Sequence, residues 1–92
     1  MNYELVFGKN ALAGLVGQVP GQYFDCIYAA LLDLSGDPTN HAQRCDHPYP
    51  GRKQFDFDCT HQSHGFVFRA YFYFGPGEKT IRVFDMTATA SW

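Results

Sequence analysis

Residues Phe66 to Phe74 read Phe-Val-Phe-Arg-Ala-Tyr-Phe-Tyr-Phe, and this run constrains the fold more than any other stretch. Aromatic and β-branched side chains suit a pleated, half-buried surface, so the run predicts a strand. Gly75-Pro76-Gly77-Glu78-Lys79 follows as a turn and Thr80 to Thr87 as a second strand, which together make a hairpin. Successive strand side chains point to opposite faces, so Phe66, Phe68, Ala70, Phe72 and Phe74 form an apolar row that belongs in a core. The other row, Val67, Arg69, Tyr71 and Tyr73, sets one cation among phenols and predicts a working surface.

The rest of the chain supplies partners for the apolar row. Tyr3 to Phe7 alternates Tyr3, Leu5 and Phe7 against Glu4 and Val6, a short strand stopped by Gly8. Asn10 offers a helix cap, and Leu12, Leu15, Val16 and Val19 fall on one helical face before Pro20-Gly21 breaks the chain. Phe24, Ile27, Tyr28, Leu31 and Leu32 repeat the helical spacing, and Ser35-Gly36-Asp37-Pro38 ends the segment. Thr39 to Gly51 keeps no period and reads as a loop. Phe55, Phe57 and Cys59 alternate with Gln54, Asp56 and Asp58 as a further strand, and Thr60 to Gly65 forms a polar turn into the aromatic hairpin. The tail after Thr87 is small and polar up to Trp92.

The resulting class is α+β: an N-terminal strand, a two-helix hairpin, then a three-stranded antiparallel meander, with the helices packed on one face of the sheet. Residues 1–92 make one domain, a length that supports one core and not two. A net charge of -2 gives no general attraction to nucleic acid, so any such role depends on local charge placement. No run approaches the roughly 18 apolar residues of a membrane span, and the start lacks a secretory pattern, so a cytoplasmic protein is expected. The odd count of three cysteines, Cys26, Cys45 and Cys59, in a reducing compartment predicts free thiols.

At this level the chain resembles the RelE/ParE toxin superfamily of toxin-antitoxin systems. The resemblance rests on the element order and on the exit Leu31-Leu32-Asp33-Leu34-Ser35-Gly36-Asp37-Pro38. It rests most on Phe66-Val67-Phe68-Arg69-Ala70-Tyr71-Phe72, followed by a turn and Thr80-Ile81-Arg82-Val83-Phe84. It implies a toxin component neutralised by a cognate antitoxin, acting as a metal-independent mRNA endonuclease with or without the ribosome. A DNA gyrase inhibitor is the other branch, and a homodimer is compatible with either. In the nuclease chemistry a ribose 2′-OH attacks the adjacent phosphate, which requires a base, a cation for the developing charge and an acid for the leaving oxygen.

Arg69 matches the family's charge-stabilising arginine, and its fork suits two phosphate oxygens. An unperturbed imidazole titrates near neutrality, so His61 and His64 are the candidate base and acid. Arg52 and Lys53 are candidate phosphate contacts, and Tyr71 and Tyr73 can stack on bases. Arg44 together with Arg52, Lys53 and Arg69 would make one basic patch. The strand before Arg69 departs from the family, however, with Gln54, Asp56 and Asp58 where basic residues are usual, and Asp85 to Thr89 supplies no acid at the family's position. An ion pair of Arg69 with Asp56 or Asp58 is the plain structural alternative. An open basic concavity around Arg69 would fit the nuclease, whereas a closed pair would fit a non-catalytic interaction module. His41, Cys45, His47, Cys59, His61 and His64 are numerous enough for zinc, but their spacing is poor for a chelate; no metal and no cofactor are expected.

Overall fold

The computed structural model describes residues 3–75, 77 and 79–91, apart from the side chains of residues 12, 14 and 16. In chain order the elements are β1 (Glu4–Phe7), α1 (Lys9–Val16), a 3₁₀ turn (Gly21–Tyr23), α2 (Phe24–Gly36), α3 (Pro38–His41), β2 (Gln43–Cys45), β3 (Arg52–His61), β4 (His64–Phe74) and β5 (Thr80–Ala90). One five-stranded sheet has the order β1-β5-β4-β3-β2. The meander β3-β4-β5 is antiparallel, as the short turns require, and β1 closes one edge by running parallel to β5. Among the described residues no helix is long and apolar enough to cross a membrane.

The aromatic strand lies at the centre of the sheet and its apolar row is core: Phe68, Ala70 and Phe72 are fully buried, and Phe66 nearly so. Phe74, at the end of the row, is 42% exposed, its ring tilted against Tyr3 with centroids 5.8 Å apart and edge-on to Phe72 at 5.9 Å. Phe55 and Cys59 extend the core onto β3, and Ile81, Val83 and Met86 onto β5. Ala11 and Leu15 of α1 and Val19 beyond it cover this face. Leu12 and Val16, also expected on the buried stripe, lie outside the described side chains.

Four sequence expectations change. The stretch read as a loop contains α3 and the edge strand β2, which pairs Gln43, Arg44 and Cys45 with Gln54, Lys53 and Arg52. The tail after Thr87 continues β5 to Ala90, because Thr87, Ala88, Thr89 and Ala90 each have a partner on β4. In α2 the buried stripe is Ile27, Leu31 and Leu34, whereas Phe24, Tyr28 and Leu32 are 40%, 59% and 44% exposed. The spacing i, i+4, i+7 that faces the sheet excludes the neighbouring stripe about 100° around the helix. Helix α1 starts at Lys9 with Gly8 in extended conformation before it, so Asn10 lies inside the first turn and is not the cap.

A fifth correction concerns the cysteines. Cys26 at the start of α2 and Cys59 on β3 form a disulfide, with Cα atoms 6.0 Å apart, and Cys45 alone is a free, buried thiol. Packing Ile27 and Leu31 against the sheet brings the first turn of α2 over Cys59, a proximity that cysteine count and compartment do not contain.

Candidate functional site

The helices leave the opposite sheet face open, and pair register decides which side chains occupy it. Directly paired residues share a face. Gln54 faces Tyr71, Asp56 faces Arg69, and Asp58 faces Val67, while Arg69 meets Thr87 on its other side. The open face therefore carries Gln54, Asp56, Arg69, Tyr71 and Tyr73, as the alternation predicts.

Its centre is closed by an ion pair. Arg69 Nε donates to Asp56 Oδ1 at 2.8 Å and Arg69 Nη2 to Oδ2 at 2.9 Å, a two-point contact of fork on carboxylate. Gln54 Nε2 lies 3.4 Å from both Asp56 oxygens. The Asp56 bonds, and after them the Tyr71 phenol, raise the guanidinium pKa further above its ordinary value. Both partners remain partly exposed, at 42% and 31%, so solvent and salt weaken the pair.

Beside it stands an aromatic cluster that the sequence did not reveal. Tyr49, from the loop between β2 and β3, lies edge-on to Tyr71 and Phe84, with ring centroids 5.0 and 4.8 Å away. Its hydroxyl donates to Asp85 Oδ2 at 2.7 Å. That bond, then desolvation, raises the Tyr49 pKa above its ordinary value. Tyr71 is 5% exposed beneath this cover, so in this structure it is not a free stacking platform. The signal is a β-bulge: Tyr71 pairs with Asp85 but Phe72 with Val83, which leaves Phe84 as an extra residue on β5. Strict alternation from Val83 would aim Asp85 into the core and Met86 outward. The bulge reverses this, burying Met86 and leaving Asp85 for Tyr49.

The sequence-predicted residues are divided between two faces. Arg52 pairs with Cys45 across β2, and its guanidinium carbon stands 4.5 Å from the centroid of the Tyr73 ring, on the open side. Lys53 pairs with Arg44 and with core Phe72, so it shares the parity of the helix side. Arg44 is engaged by Asp46 at 2.9 Å in an exposed pair. Arg44, Arg52, Lys53 and Arg69 thus do not form one basic patch. His61 and His64 face each other at the β3–β4 tip with the parity of Cys59 and Phe66, the core row. The His61 ring lies 6.2 Å from Tyr23, and the Tyr23 hydroxyl donates to the His64 carbonyl at 2.8 Å. His64 is five residues from Arg69, about 17 Å along a strand. The structure does not bring the two imidazoles to the arginine. Among the described residues no three His, Cys, Asp or Glu side chains converge as metal ligands, and the Cys59 sulfur is taken by Cys26.

No protein-family model matches the sequence, and no curated protein matches it. Among solved structures, a chain from the toxin-antitoxin complex RelBE2 of Mycobacterium tuberculosis superposes with a TM-score of 0.69 at 15% identity, over 97% of this chain and 100% of that one. The likeness covers nearly the whole chain, and it shows that this chain shares the α+β fold of that chain.

Proposed function

We propose that the chain is the toxin-type member of a toxin-antitoxin pair, bound by a cognate antitoxin protein in the cytoplasm, and that it engages its target through the open sheet face. Similarity to a chain of a toxin-antitoxin complex supports the pair. The observation that carries the mode of action is the two-point contact of Arg69 with Asp56. A carboxylate already occupies both prongs, and among the described residues the other open-face arginines, Arg52 and Arg82, stand beside Tyr73 rather than against the pair, which favours an interaction module over a phosphate site. In this mode Arg69 exchanges Asp56 for an acidic side chain of a protein partner, gyrase or another.

Metal-independent mRNA cleavage is the second reading, and the same pair gives it a specific form. A phosphate that displaced Asp56 from Arg69 would leave a carboxylate beside the attacking 2′-OH, so Asp56 would act as base and Arg69 as the charge stabiliser. His61 and His64 would then serve the fold of the hairpin tip.

Expression in a bacterial host, with growth and translation followed, tests both. Growth arrest relieved by Arg69→Ala in a folded protein supports the open face. Cleavage of RNA by the purified chain, with or without ribosomes, that is lost in Asp56→Asn assigns the nuclease. Arrest without cleavage assigns the module, and unimpaired growth at full expression overturns the toxin reading.

A further inference from the structure

Two cross-links converge where the start of α2 meets the β3–β4 tip. Tyr23 donates to the His64 carbonyl at 2.8 Å and stands edge-on to Phe66 at 5.0 Å, and three residues later Cys26 is bonded to Cys59, 33 residues away in sequence. The two cysteines differ in exposure: Cys26 is an exposed residue of α2, whereas Cys59 is 3% exposed. The neighbours of Cys26 frame an apolar groove of about 380 Å³, lined by Phe24, Asp25, Ile27, Tyr28 and residues of β1 and α1. The seating of this end of α2 sets the shape of that groove.

We propose that the Cys26–Cys59 disulfide is a redox-operated latch on the start of α2, opened by a dithiol reductant. A reductant thiolate attacks the sulfur of Cys26, the exposed residue of the pair, forming a mixed disulfide and releasing the Cys59 thiolate, which takes up a proton. The second reductant thiol, as thiolate, attacks its own partner sulfur in the mixed disulfide and releases Cys26, which is protonated in turn. The dithiol loses two electrons and two protons to the two cysteines. In a reducing compartment a bond with one exposed cysteine is transient rather than permanent. Once it is open, the 3₁₀ turn and first turn of α2 are held by the Tyr23 contacts and by burial of Ile27, while Leu31 and Leu34 keep the rest of the helix on the sheet.

The test uses the full chain, oxidised with glutathione disulfide or reduced with dithiothreitol, read by hydrogen exchange and thermal unfolding. Reduction should lower Tm by roughly 10–20 °C. It should also accelerate exchange at residues 20–28 by roughly tenfold more than in β4 and β5, and reoxidation should reverse this. Cys26→Ser should reproduce the reduced state and no longer respond to reductant, whereas Cys45→Ser should respond like the parent chain. Equal acceleration along the whole chain would make the bond a general staple and overturn the latch. Unchanged exchange on reduction, or three titratable thiols after oxidation, would overturn it as well.

Discussion

Arg69 on β4 and Asp56 on β3 are directly opposed, and both prongs of the guanidinium end on the one carboxylate, at 2.8 and 2.9 Å. An arginine that its neighbours leave free is a standing phosphate site, whereas this one must first exchange a partner. Asp56→Asn should therefore uncover the fork while changing stability by less than about 1 kcal/mol, since the pair is a partly exposed cross-strand contact. Affinity for a short RNA should rise, with the salt dependence steepening by about 0.7 of a unit for one added phosphate contact. Anisotropy titrations at two ionic strengths measure this, and an unchanged slope places polyanion binding elsewhere.

Tyr49 tests the cover over Tyr71. Its pKa is raised mainly by the hydrogen bond to Asp85, so its contribution to stability is fully present below the unfolded value of about 10 and is lost as pH rises through the folded value. Tyr49→Phe should remove that component of the alkaline destabilisation. Thermal unfolding of both proteins across the alkaline range checks it, and a stability difference that stays the same through the alkaline range would refute it.

The β3–β4 turn carries a removable strain. Gln62 and Ser63 have φ of 52° and 72°, the left-handed values that a two-residue primed hairpin turn requires. Neither residue is suited to them. Replacing the pair by Gln62→Asn and Ser63→Gly should stabilise the protein by about 1–2 kcal/mol in urea titrations with no change in m-value.

Phe68 is fully buried and stacks on Phe57 with centroids 5.1 Å apart. Phe68→Ala should cost about 3–5 kcal/mol, a large share of the roughly 5–15 kcal/mol available to a natural domain. A denaturant midpoint within error of the parent would show that this row is not the core.

Strand alternation made much of the open face readable: Asp56, Arg69 and Tyr73 are where parity puts them, because a side-chain period of two leaves no choice once the Phe row is buried. The same rule, applied to His61 and His64, places them with the core row and away from Arg69. Proximity in sequence concealed this, since a turn between paired strands looks equally near both faces. Asp85 was unreadable for the converse reason. A bulge at Phe84 breaks the period, and its one local trace is that unbroken alternation would bury Asp85 and expose Met86.

By itself the sequence determined the central hairpin, the two longer helices, the α+β class and the cation of the open face, all of which follow from local periodicity and the burial of apolar rows. Tertiary structure alone decided the Cys26–Cys59 bond, the Tyr49 cover and the closure of Arg69 by Asp56 rather than Asp58. Each depends on strand register or on where a helix or loop lands across the sheet, and those positions are set by packing among residues far apart in the chain.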